Sequence, residues 1–124
     1  MEFNDKQAIY LQIADLICEN ILSDKWKEAE RIPSVREVAG DIEVNPNTVM
    51  RSYNYLQDKE IIFNKRGIGY FVDETGKAKV LEIKKDNFKK EVLPEVFKDM
   101  DLLGISINEI VGDYEKYSNQ QSTI

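Results

Sequence analysis

Three blocks decide the fold: Ile32-Pro33-Ser34-Val35-Arg36-Glu37-Val38-Ala39, Val44-Asn45-Pro46-Asn47-Thr48-Val49-Met50-Arg51, and Arg66-Gly67-Ile68-Gly69-Tyr70-Phe71-Val72. Ser34 is a good N-cap, and Glu37 three residues on completes a capping box. The helix so opened should run to about Ile42, with Val35, Val38 and Ala39 inward. Glu43-Val44 forms a turn. Asn45 caps the next helix, and Pro46 fills its first position, where a missing N–H costs nothing. Val49, Tyr53 and Leu56 then face the core, and Asn47, Arg51 and Asn54 face out, to about Lys59-Glu60. The β-prone runs Ile61-Ile62-Phe63 and Tyr70-Phe71-Val72 enclose Gly67 and Gly69 and read as a hairpin. Two capped helices, a tight turn and a glycine-tipped hairpin predict a helix-turn-helix with a wing, whose commonest use is reading duplex DNA.

Upstream, Gln7 to Leu22 carries Ile9, Ile13, Leu16, Ile17 and Ile21 at the spacing of one buried helical face. Ser23 to Arg31 is polar and reads as a loop, after which Arg31-Ile32 can pair as a short strand with the hairpin. Asp73 to Lys79, with Gly76, reads as a polar linker and marks a domain boundary. Beyond it, Phe88, Val92, Val96, Met100 and Leu103 form an amphipathic stripe, with a kink at Pro94 or a restart near Leu93. Gly104 is placed to end that helix. Ser106 with Glu109 suggests a second capping box before a short helix holding Ile107, Ile110, Val111 and Tyr114. Ser118 to Ile124 reads as a frayed end.

Composition limits the chemistry. The 124 residues contain no histidine and one cysteine, which removes the usual zinc sites, the Ser-His-Asp triad and the Cys-His dyad. No enzymatic activity, metal or cofactor is expected. Cys18 cannot form an internal disulfide and lies among helix-periodic residues, so it reads as a structural thiol in a reducing compartment. No apolar run is long enough to span a membrane, and Met1 to Lys6 lacks a signal-peptide pattern, so a cytoplasmic location is expected. The net charge of −6 is unevenly placed: residues 31–72 carry six Lys/Arg against five Asp/Glu, so the acidity lies in the flanks. Such a chain depends on a few placed contacts rather than on bulk attraction to DNA.

Each motif has a plainer reading. The outward face of the second block could be only solvated helix surface, and Arg36 could form a surface ion pair with Glu37, worth little. In the wing, Asn64-Lys65-Arg66-Gly67-Ile68-Gly69 joins two cations to two glycines, which let backbone approach a phosphate; Gly-x-Gly alone would be a weak signal. After a helix-turn-helix it is much stronger.

Ile9-Tyr10-Leu11-Gln12-Ile13, the Ile32 to Ala39 block, Asn47-Thr48-Val49 and the Arg66 to Val72 block resemble the signatures of GntR-family bacterial transcription regulators over residues 7–73. The short tail resembles the YtrA-like branch, whose members often regulate transporter operons. Carried over residue by residue, the resemblance implies DNA contacts from Arg36, Asn45, Asn47, Thr48, Arg66, Gly67 and Gly69; Lys65 and Arg51 join them as cations of the wing and the outward helix face. The sequence departs from the pattern at Met50, where many members carry a basic residue and where the arginine here is one position later.

The expected fold is α+β, mainly α: a winged helix-turn-helix domain over residues 1–75 and a short two-helix C-terminal dimerisation tail over residues 76–124. The tail interface is expected at Phe88, Val92, Val96, Met100 and Leu103. The expected function is sequence-specific regulation, as a homodimeric repressor of a transporter-type operon on an inverted-repeat double-stranded DNA operator. No site for a small-molecule effector is evident, and no membrane is expected as partner. The alternatives are a winged-helix protein-interaction module and a small-molecule-binding domain, whose pocket Phe88, Leu93, Val96, Phe97 and Met100 would line.

Overall fold

The computed structural model describes Phe3 and residues 7–122, so most of Met1 to Lys6, and Thr123-Ile124, lie outside the described residues. The elements run α1 (Ile9–Leu22), α2 (Val35–Ile42), α3 (Pro46–Asp58), β1 (Ile62–Lys65), β2 (Gly69–Val72), α4 (Gly76–Asn87), a π-helical turn (Phe88–Val92), α5 (Leu93–Leu103) and α6 (Ile107–Ser122). The chain forms two compact units, Met1–Lys84 and Lys85–Ile124. The α+β, mainly α winged fold with C-terminal helices is the one expected.

The first unit is built as the sequence requires. Ile13, Ile17 and Ile21 of α1 are buried at i, i+4 and i+8, against Val49, Tyr53 and Leu56 of α3. Both caps form. Ser34 Oγ accepts from the Glu37 N–H at 3.1 Å, and Glu37 Oε1 accepts from the Ser34 N–H at 3.2 Å. Asn45 Oδ1 accepts from the Asn47 N–H at 2.8 Å, with Pro46 at the first helical position. Glu43 makes the turn in the left-handed region (φ 55°), and the Val44 N–H donates to the Ala39 carbonyl.

The hairpin pairs Ile62 with Val72, Phe63 with Phe71, Asn64 with Tyr70 and Lys65 with Gly69. Arg31 bridges Phe71, and the Ile32 N–H donates to the Tyr70 carbonyl at 2.9 Å, so the anticipated short third strand lies beside β2. Ser52 and Tyr53, the polar groups of the α3 interior, are both satisfied. Ser52 Oγ donates to the Tyr10 carbonyl at 2.6 Å, and the Tyr53 hydroxyl donates to the Pro33 carbonyl. Burial raises the phenol pKa of Tyr53 and pushes the Cys18 thiol up to about 11. Cys18 is buried, as a structural thiol should be.

Residues 73–79 are not a linker. Asp73 Oδ2 accepts from the Thr75 N–H and hydroxyl at 2.8 and 2.6 Å, which holds its carboxyl below the usual range, and α4 starts at Gly76. Gly76 and Val80 are buried, and a Cβ at residue 76 would stand 2.5 Å from the Ile61 carbonyl oxygen. Lys77–Asp24 (2.9 Å) and Lys79–Glu60 (3.3 Å) pin the same turns. The first compact unit therefore continues past residue 75 as far as Lys84. A polar sequence with one glycine hid a helix held by tertiary contacts.

In the second unit the helix restarts at Leu93. Pro94 has no N–H for the regular ladder, and the π-helical turn Phe88–Val92 precedes it. Gly104 ends α5 in the left-handed region (φ 68°), and the Ile105 N–H donates to the Met100 carbonyl. Ser106 Oγ caps α6 through the Glu109 N–H at 3.2 Å. The final helix is not short, and its end is not frayed as far as it is described: it runs for 16 residues to Ser122.

Candidate nucleic-acid interface

The expected contact residues lie on α2, on α3 from its N-cap onward and on the hairpin. The α3 N-terminus presents the positive end of a helix dipole together with its polar residues. Asn45 uses Oδ1 as the cap, which leaves its exposed carboxamide NH2 without a partner among the described residues. Asn47 is exposed and Thr48 half-buried.

Arg36 stands exposed in the first turn of α2. Its plainer reading was an ion pair with Glu37, but the Glu37 carboxylate is engaged in the capping box, and Arg36 has no ion pair among the described residues.

Arg51 is exposed, and its guanidinium carbon lies 4.1 Å from the centroid of the Tyr10 ring. That stacking fixes the side chain over the start of α1. The sequence reading placed Arg51 on the outward face but missed Tyr10 as its support, although the Ile9-Tyr10-Leu11-Gln12-Ile13 motif contained it.

In the wing, the Ile68 N–H donates to the Lys65 carbonyl at 2.9 Å, closing a turn over Arg66 and Gly67. Gly67 has φ 79°, a conformation that glycine adopts without a Cβ clash. Arg66 is exposed at that turn, and Lys65 holds its ammonium 5.1 Å from the Phe71 ring centroid.

Two contacts brace the wing against α3. The Tyr53 and Tyr70 rings meet edge to face at 4.9 Å, and the Tyr70 hydroxyl reaches Met50 Sδ at 3.9 Å. Met50, the departure from the family pattern, is thus a packing partner of the wing's tyrosine. Its side chain links the two parts of the surface instead of adding charge.

A capped helix with its polar N-terminus uncovered, followed by a braced cationic hairpin, defines a winged helix-turn-helix protein of the DNA-binding kind. Residues 9–72 match the family described as bacterial regulatory proteins, gntR family. The chain belongs to that family, and it is a DNA-binding transcription regulator.

It is 36% identical to the HTH-type transcriptional regulator YhcF of Bacillus subtilis (strain 168) over 110 residues, covering 89% of each chain. It is 33% identical to the HTH-type transcriptional repressor YtrA of the same organism, covering 82% of this chain and 78% of YtrA. Among solved structures, a GntR-family regulator from Bacteroides thetaiotaomicron superposes with a TM-score of 0.76 at 50% identity, covering 92% of this chain and 99% of that one.

Proposed function

We propose that the chain is a homodimeric repressor that occupies an inverted-repeat operator, with Arg36, Asn45, Asn47, Thr48, Arg51, Lys65, Arg66, Gly67 and Gly69 at the DNA. The observation that supports this face is the set of exposed cations, Arg36, Arg51, Lys65 and Arg66, none with a carboxylate partner among the described residues. Cations without carboxylate partners suit phosphate and base edges better than they suit an apolar protein partner.

Dimerisation is supported by the second unit taken alone. None of its described residues is buried, yet Phe88 and Phe97 are each 50% exposed, and Leu102 and Leu103 more than 70%. Helices of 11 and 16 residues with apolar stripes are marginal without a surface to cover them. A second copy supplies one, with Phe88, Val92, Val96, Met100 and Leu103 in the seam. Two-fold symmetry then gives an inverted repeat.

Repression needs only occupancy of a promoter, and the relative YtrA is named a repressor. A transporter-type operon is the proposed target because the short tail is YtrA-like, and the cytoplasm is the proposed site of action because the target is chromosomal DNA. Selection of binding sites from a random duplex pool tests the reading. It predicts an inverted repeat with half-site centres about 10 bp or a multiple apart; recovery of single, unrepeated half-sites would count against it.

A further inference from the structure

A further cation, Arg31, lies beside the wing. Residue 31 lies against β2 through its bridge to Phe71 and the adjoining hydrogen bond from the Ile32 N–H. Paired residues in an antiparallel sheet share a face, and alternate residues along a strand return to it. Arg31, Phe71 and Phe63 therefore form one row, and Gly69 and Lys65 form the next row toward the tip. Phe63 and Phe71 stack with centroids 5.7 Å apart and make the floor of this face, over which Lys65 lies.

Arg31 runs along the same face to Gly69. A Cβ built at residue 69 would stand 2.7 Å from Arg31 Nε, 3.4 Å from its Cδ and 3.5 Å from its Cγ. Gly69 also has φ 142°, which L side chains rarely adopt. The bare glycine is thus the space that the arginine fills on its way to the tip. Arg31 and Lys65 are both exposed, and neither has a carboxylate partner among the described residues. Two like charges on one face repel each other, and an anion between them relieves that repulsion.

We infer that Arg31 and Lys65, with Gly69 kept bare between them, form a clamp for one backbone phosphate of duplex DNA on the flank of the wing. Arg66 projects from the turn itself, where a groove would receive it. The clamp lies one residue pair behind, where the phosphates edging that groove stand. The inference rests on the DNA-binding reading of the wing.

The test uses the full chain and a duplex site selected from a random pool by the parent protein. Affinity is measured from 50 to 200 mM salt for the parent, Arg31→Ala, Arg31→Lys and Gly69→Ala, with Arg66→Ala as the control for the wing. Losing one phosphate contact lowers the salt slope by about 0.9, so the parent's advantage over Arg31→Ala should shrink about 3.5-fold across that range. Arg31→Lys should recover most of the slope, since it keeps the charge. Gly69→Ala should behave like Arg31→Ala, and adding it to Arg31→Ala should remove no further slope. Circular dichroism should show Arg31→Ala folded like the parent. If Arg66→Ala weakens binding while Arg31→Ala keeps the parent's slope, the clamp is wrong and the wing reading survives. If neither variant changes binding, both are wrong.

Discussion

Asn45, Tyr53 and Cys18 show how much one side chain can decide in this chain. Asn45→Ala removes the acceptor for the Asn47 N–H and should cost about 1 kcal/mol, read as a lowered urea midpoint with an unchanged m-value. An unaltered midpoint would mean that the helix start needs no cap. Tyr53→Phe leaves the Pro33 carbonyl without its donor in the interior and should cost about 1–3 kcal/mol in the same measurement. Cys18 makes a pH prediction. Its thiol moves from an ordinary 9.0 to about 11 on folding, so the neutral form is favoured in the fold. The associated stability is fully present below pH 9 and is lost as pH rises through 11. Parent and Cys18→Ala should therefore differ by about 1 kcal/mol less at pH 10 than at pH 8. A gap independent of pH would contradict it. The caps were legible because capping is local: Ser34, Glu37 and Asn45 accept from N–H groups within three residues of themselves, and Pro46 brings no N–H to satisfy. The support of Arg51 by Tyr10 was not, because that contact joins residues 41 positions apart in the sequence.

Among the elements, the same distinction separates what could be read from what could not. The wing was legible in its β-prone runs and glycines, and the restart at Leu93 in the single proline. The start of α4 was not. Residues 73–79 lack an apolar period, and what seats the helix from Gly76 on is that glycine fitting under the Ile61 carbonyl and Val80 entering the core. A pair of glycine substitutions checks this. Gly40→Ala in α2, with nothing within 4 Å of its added Cβ, should raise stability by about 0.5–1 kcal/mol. Gly76→Ala is also a helical glycine, but it should lower stability by about 1–3 kcal/mol because the Cβ meets backbone. If both variants gain stability, α4 does not pack on the first unit as described. The extension of α6 to Ser122 was missed for another reason: Ser118 to Gln121 carry no apolar period, and Ser118 and Asn119 are weak helix formers.

At the scale of the whole molecule, a helix-turn-helix unit is followed by a second unit in which none of the described residues is buried. Assembly can be tested without truncation. Val96→Asp and Phe97→Asp alter residues exposed in the single chain, so the first unit should melt as before. Sedimentation should then report a monomer, and operator affinity should fall steeply as two tethered contacts become independent. Retention of the dimer would place the interface outside α5. Beneath assembly lies the central claim, that duplex DNA is held by the face carrying Arg36 and Arg66. Its most direct measurement is the salt dependence of operator affinity for the full chain with Arg36→Ala and Arg66→Ala combined. Both side chains are exposed and without ion pairs among the described residues, so the fold should be intact by circular dichroism. If both touch phosphates, the slope should fall by nearly two units; if either reads a base, affinity should drop by about 1–3 kcal/mol with relaxed specificity at that position. A folded double variant that binds the selected operator with the parent's affinity and slope would contradict the account.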